Sequence, residues 1–91
     1  MLIDLSGKVF VVTGGNGGVG LGLAEGIVMA GGSIAVWGRS EEKNGTAVEQ
    51  LQALGGRAFA YVCDVSDEAQ VSETMKRSIA DLGRLDGLFA N

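Results

Sequence analysis

Ninety-one residues, 46% hydrophobic and 20% charged with a net charge of −4, make one small globular domain or part of a larger one; the chain is too apolar to be disordered and too acidic for a nucleic-acid-binding surface. One cysteine and no histidine exclude an internal disulfide and argue against a zinc site, and no apolar run approaches membrane-spanning length. Sixteen glycines and no proline are the unusual counts, and the glycines follow no G-X-Y period.

The opening MLIDLSGK is too short and too acidic for a signal peptide, so a cytoplasmic protein is expected. KVFVVT (8–13) is a continuous Val-rich run that predicts a strand buried on both faces. GLGLAEGIVMA (20–30) predicts a helix with Val19, Leu23, Ile27 and Ala30 on its inner face, stopped by Gly31-Gly32. SIAVWG (33–38) is a second buried strand. Ser40 is the expected N-cap of a helix carrying Glu41 and Glu42 in its first turn, with an apolar stripe of Ala47, Val48, Leu51 and Leu54 and a stop at Gly55-Gly56.

AFAYVCDV (58–65) is the third strand, and Cys63 within it reads as a buried small hydrophobe. Ser66 is the expected cap of the next helix, with Asp67 and Glu68 behind it, a core face of Val71, Met75, Ile79 and Leu82, and Gly83 as its end. LDGLFAN (85–91) begins a fourth strand. Strands and helices alternate with short connections, which predicts right-handed parallel crossovers. The expected fold is α/β: the first half of a doubly wound Rossmann sheet, β-α-β-α-β-α-β, in strand order 3-2-1-4. Residues 1–91 are expected to be the N-terminal portion of a dinucleotide-binding domain, because the apolar fourth strand would need a further strand beside it.

The stretch VFVVTGGNGGVGLGLA (9–24) places six glycines between positions 14 and 22, at a strand-to-helix turn. Such a turn brings unpaired helix N–H groups and the positive end of the helix dipole against a pyrophosphate, and glycine is needed where backbone and ligand touch. Two registers fit. Gly15, Gly17 and Gly20 give G-x-G-x-x-G; Thr13-Gly14, Gly18 and Gly20 give T-G-x-x-x-G-x-G. A P-loop is excluded, since no Gly-Lys-Ser/Thr opens the helix. The second strand ends in Gly38-Arg39 without a carboxylate. That disfavours a methyltransferase or an NAD-preferring site and offers a planar cation for a 2′-phosphate or for stacking on adenine.

TGGNGGVG, CDV and LDGLFAN together resemble the N-terminal, cofactor-binding half of a short-chain dehydrogenase/reductase, over essentially the whole chain. The resemblance selects the register of Thr13, Gly14, Gly18 and Gly20. It implies a pyrophosphate held by Gly14, Asn16, Gly17, Gly18, Val19 and Gly20. Arg39 and Ser40 would lie toward the 2′-phosphate, and Asp64, Val65 and Asn91 toward adenine and ribose. It implies an oxidoreductase moving hydride between nicotinamide and a small alcohol or carbonyl substrate, assembled as a homo-dimer or homo-tetramer, while Arg39 and the absence of a carboxylate at Gly38 favour NADP(H) over NAD(H). The family's reaction uses a serine and Tyr-x-x-x-Lys. The sole tyrosine, Tyr61, is followed four positions on by Val65, so these residues carry no catalytic group, and Tyr61 is expected to pack. The alternative from another class is a non-catalytic Rossmann nucleotide-binding or structural module.

Overall fold

The computed structural model describes residues 3–91; Met1 and Leu2, at the start of the MLIDLSGK segment, lie outside the described residues. Seven elements follow in order: β1 (Val9–Thr13), α1 (Gly18–Met29), β2 (Ser33–Gly38), α2 (Glu41–Ala53), β3 (Ala58–Val62), α3 (Glu68–Leu82) and β4 (Gly87–Phe89). The four strands form one parallel sheet in the order β3-β2-β1-β4, as the alternation predicts. Val9 pairs with Ser33 and Thr13 with Trp37, Ile34 with Ala58 and Gly38 with Val62, while β4 pairs only through Phe10–Gly87 to Val12–Phe89. Thr13, Gly38 and Phe89 thus close their strands at one edge of the sheet.

Strand periodicity sorts the core into two layers. Val12, Ile34, Val36 and Ala58 face α1 and α2, where they meet Ala24, Ile27, Val28 and Leu51. Val9, Val11, Ala35, Trp37, Tyr61 and Cys63 face the other way, onto Leu82 of α3 with Val71 and Met75 beside it. Helices cover both faces, as a doubly wound sheet requires, and Cys63 is buried among apolar neighbours as expected. Gly31, Gly55 and Gly83, all left-handed, follow or cap the three helix ends. Among the described residues, no helix is long and apolar enough to cross a membrane.

Several local expectations need correction. The inner face of α1 is Gly20, Ala24, Ile27 and Val28; Val19 is 80% exposed, and Leu23 and Met29 also turn outward. The reason is distance. α1 starts so near the end of β1 that a Cβ on Gly20 would lie 2.3 Å from the Gly14 carbonyl oxygen. Only small residues fit that side of the first turns, and the larger ones face away.

The buried face of α3 is Thr74, Ser78 and Leu82 rather than a wholly apolar stripe, and Ile79 is exposed. The cause is Trp37, whose indole Nε1–H donates to Ser78 Oγ at 3.0 Å, while Ser78 Oγ donates to the Thr74 carbonyl at 2.8 Å. A buried indole N–H needs an acceptor, and the helix is rotated to supply one.

Asp67, not Ser66, caps α3, its carboxylate accepting from the N–H groups of Ala69 and Gln70. Leu54 is exposed at the end of α2. The third and fourth strands are shorter than the apolar runs that announce them, ending at Val62 and spanning only Gly87–Phe89.

Candidate functional site

A cleft of about 590 Å³ opens where β1, β2 and β3 end, and Asn91 closes it beyond β4. Its lining includes Gly14, Asn16, Arg39, Ser40, Asp64, Val65 and Asn91. Gly17, Gly18, Val19 and Gly20 lie outside this lining, at the N-terminal turn of α1.

The glycine turn is built from two kinds of demand. Gly14 and Gly18 adopt φ of 66° and 57°, the left-handed region that disfavours any side chain. Gly20 is demanded by space, at the approach to Gly14 described above. Gly17 has φ of −177°, and a Cβ there would meet nothing. The strongest constraints therefore fall on Gly14, Gly18 and Gly20, the T-G-x-x-x-G-x-G register. Gly15 is moderately tight, a Cβ there lying 3.1 Å from the Val12 carbonyl oxygen. A Cβ on Gly18 would stand in open space, so its constraint is the left-handed φ, whereas Gly20 is the glycine packed against the protein's own backbone.

The N-cap of α1 is Gly17, which supplies no side-chain cap, and no acidic residue stands in the first turn. α2 and α3 differ: Ser40 Oγ accepts from the Lys43 N–H, and Asp67 caps α3. The N-terminus of α1 thus leaves its first N–H groups and the positive end of its dipole free for an outside acceptor.

Thr13 ties the turn to the far side of the cleft. Its hydroxyl donates to the Phe89 carbonyl at 3.4 Å and accepts from the Asn91 N–H at 3.0 Å, and the Asn91 side-chain amide reaches the Gly14 carbonyl at 3.5 Å. On the other wall, Arg39 and Lys43 supply positive charge. The Asp64 carboxylate accepts from both the hydroxyl and the N–H of Ser66, at 2.7 and 3.0 Å. These bonds, with a smaller contribution from the Arg39 charge, hold its pKa below the usual carboxylate value. Asp64 therefore also shapes the turn into α3, and its carbonyl accepts from the Asp67 N–H at 3.0 Å.

Tyr61 does not line the cleft. Its ring is buried, its hydroxyl donates to Asp81 at 2.6 Å, and burial followed by that hydrogen bond pushes its pKa well above the ordinary tyrosine value. It packs, as expected.

Two residues escape a hydrophobic-pattern reading. Lys43 lines the cleft from the first turn of α2, a place visible in the sequence once Ser40 is read as the cap. Asn44 is 3% exposed and donates to the carbonyls of Gly38 and Tyr61 at 2.9 and 3.2 Å, while its carbonyl accepts from Asn16 Nδ2 at 3.0 Å. It stands three residues before Ala47 and seven before Leu51, so the inner stripe of α2 extended backward reaches it.

A family model described as short chain dehydrogenase matches residues 8–91. A sorbose reductase of Candida albicans is 37% identical over 99% of this chain and 32% of its own length. A probable NADP-dependent mannitol dehydrogenase of Yarrowia lipolytica is 34% identical over 97% of this chain and 32% of its own. Among solved structures, an NAD⁺-bound xylitol dehydrogenase superposes with a TM-score of 0.90 at 34% identity, over 92% of this chain and 32% of that one. The chain spans about a third of the length of the relatives it matches.

Proposed function

The chain belongs to the short-chain dehydrogenase family, and from that premise we propose that its 91 residues are the cofactor-binding part of an oxidoreductase that uses NADP(H) in preference to NAD(H). The observation that carries the reading is the uncapped N-terminus of α1 beside a cleft at the carboxyl ends of parallel strands. The α1 N–H groups, with Gly14, Asn16, Gly17, Gly18, Val19 and Gly20 around them, hold the pyrophosphate. The absence of bulk at Gly14 and Gly18 lets the ligand approach the backbone.

Arg39 and Ser40, joined by Lys43, read the 2′-phosphate. A guanidinium binds phosphate through two parallel donors, and Lys43 adds a point charge. Asp64, Val65 and Asn91 hold adenine and its ribose. When bound, the nicotinamide supplies hydride exchange with an alcohol or carbonyl carbon; the part of these residues is to bind and orient. Thr13 contributes by fixing the end of β1 to Asn91, which keeps the adenine side and the glycine turn in one frame. The same reading includes a cytoplasmic location and a homo-dimeric or homo-tetrameric assembly, and it makes these residues the N-terminal portion of a longer dinucleotide-binding domain.

Titrating NADPH and NADH into the full chain tests the reading. Wild type binds NADPH more tightly, and Arg39→Ala lowers the NADPH-to-NADH affinity ratio about tenfold, the equivalent of one lost charge-assisted contact of ~1.4 kcal/mol. An unchanged ratio overturns the assignment of Arg39, and binding of neither dinucleotide overturns the function.

A further inference from the structure

Residue 38 is glycine, yet it is not among the left-handed glycines of the chain. Space demands it. A Cβ on Gly38 would stand 2.4 Å from Asn16 Nδ2 and 2.5 Å from Asn44 Oδ1. These two atoms are hydrogen-bonded to each other at 3.0 Å. Asn44 has nowhere to retreat, because it is buried and its own Nδ2 is held by the carbonyls of Gly38 and Tyr61. An amide bridge from the glycine turn to α2 therefore crosses the tip of β2, on the spot where a side chain at residue 38 would begin.

The position matters because of what stands around it. Gly38 and Asn16 both line the cleft, next to Arg39, Ser40 and Lys43. A carboxylate at the end of this strand would accept from a free ribose 2′-hydroxyl and repel a 2′-phosphate. The bridge prevents one from being placed there. We propose that the Asn16–Asn44 pair is a specificity-determining lock: it bars every side chain from residue 38, leaves Arg39, Ser40 and Lys43 to read the adenosine 2′ substituent, and clamps the glycine turn to α2. This rests on the dinucleotide reading above. Asn44 is a positioning residue, acting through Asn16 and the strand tip. Its consequence is coupling: cofactor preference cannot be altered at residue 38 while the bridge is intact.

The test is made on the full chain, with dissociation constants for NADPH and NADH and melting temperatures measured for each variant. Gly38→Asp alone is expected to weaken both dinucleotides at least tenfold, because the new Cβ displaces Asn16 and the turn it holds. Asn44→Ala removes one obstruction and releases the other. Gly38→Asp/Asn44→Ala is then expected to bind NADH at least tenfold more tightly than Gly38→Asp, with the NADPH-to-NADH ratio at least tenfold below wild type. Gly38→Asp/Asn16→Ala, which keeps the two carbonyl partners of Asn44, is expected to recover part of this.

A Gly38→Asp variant that shifts the ratio with NADH affinity undiminished overturns the proposal, as does a double variant no better than Gly38→Asp. Should the aspartate variants fail to fold, Gly38→Ala carries the same Cβ without the charge. In that series Gly38→Ala/Asn44→Ala melts no lower than the less stable single variant, whereas additive losses overturn the steric bridge. The melting series needs no dinucleotide. A wild type that binds neither dinucleotide therefore overturns the proposed function, and the specificity role with it, while sub-additive melting temperatures still establish the bridge.

Discussion

Glycines at neighbouring positions of this chain obey different constraints, and substitution separates them. Gly20 faces a backbone carbonyl oxygen at 2.3 Å from its missing Cβ, and backbone cannot swing aside as a side chain does. Gly20→Ala is expected to cost on the order of 1–3 kcal/mol through overpacking, read as a fall in the denaturant midpoint. Gly22, two residues on in α1, would place its Cβ in open space. Gly22→Ala is expected to stabilise by about 0.5–1 kcal/mol, because alanine has less backbone freedom to lose in a helix. Ser78 sets a different kind of constraint. It is the acceptor for the indole N–H of Trp37, and both residues are buried. Ser78→Ala leaves that N–H without a partner and is expected to cost about 1–3 kcal/mol. Since Trp37 is the only tryptophan, its fluorescence reports the same transition directly.

The helices differ at their N-termini, and the difference divides structure from function. α2 and α3 are closed by Ser40 and Asp67, whereas α1 is open at Gly17. Asp67→Ala is expected to lower stability by about 1 kcal/mol in chemical denaturation, the usual worth of a cap. Ser66→Ala removes the side-chain bond to Asp64 but neither bond that Asp67 makes to the helix, and is expected to cost less. Equal losses would restore Ser66 as the cap. The α3 N-terminus was open to misreading because Ser, Asp and Glu stand in succession at 66–68, all of them residues suited to a first turn. Asp64 decides the matter by drawing the Ser66 hydroxyl to itself.

At the scale of the whole molecule, β1 and β2 are the two interior strands, and β4 depends on β1 alone. β4 joins it by three residues and by Asp86, whose carboxylate accepts from the Val9 N–H at 2.8 Å and is paired with Arg84 at 2.7 Å. The Arg84 hydrogen bonds first, and then the Val9 N–H, hold the Asp86 carboxyl below its ordinary pKa. A carboxyl depressed by folding stabilises the native state above its unfolded value near ~3.9, and that contribution fades as the pH falls through the folded value. Asp86→Ala is therefore expected to melt below wild type at pH 7, with the two curves converging as the pH drops below about 4. A gap that persists unchanged into acid would assign the loss to packing instead. Leu88 and Phe89, on opposite faces of β4, are both partly open to solvent.

What the sequence determined by itself was the order and kind of the elements, because burial on two faces leaves uninterrupted Val-rich runs and because glycine pairs end helices. It also determined the strand order, since parallel strands with short helical crossovers have few ways to pack. The glycine register was legible only with help from Asp64 and LFAN. The rotation of each helix was not legible. Hydrophobic period placed Val19 and Ile79 inside, and the fold turned both outward, α1 because the sheet comes too close and α3 because an indole needs an oxygen. The cleft shows the same division. Arg39, Ser40 and Asp64 announce themselves at strand and helix ends. Asn16 and Asn44, 28 positions apart, become one feature only when the glycine turn and α2 converge over Gly38. A hydrogen bond between distant residues leaves no trace in local periodicity, so only the tertiary structure could show why residue 38 carries no side chain.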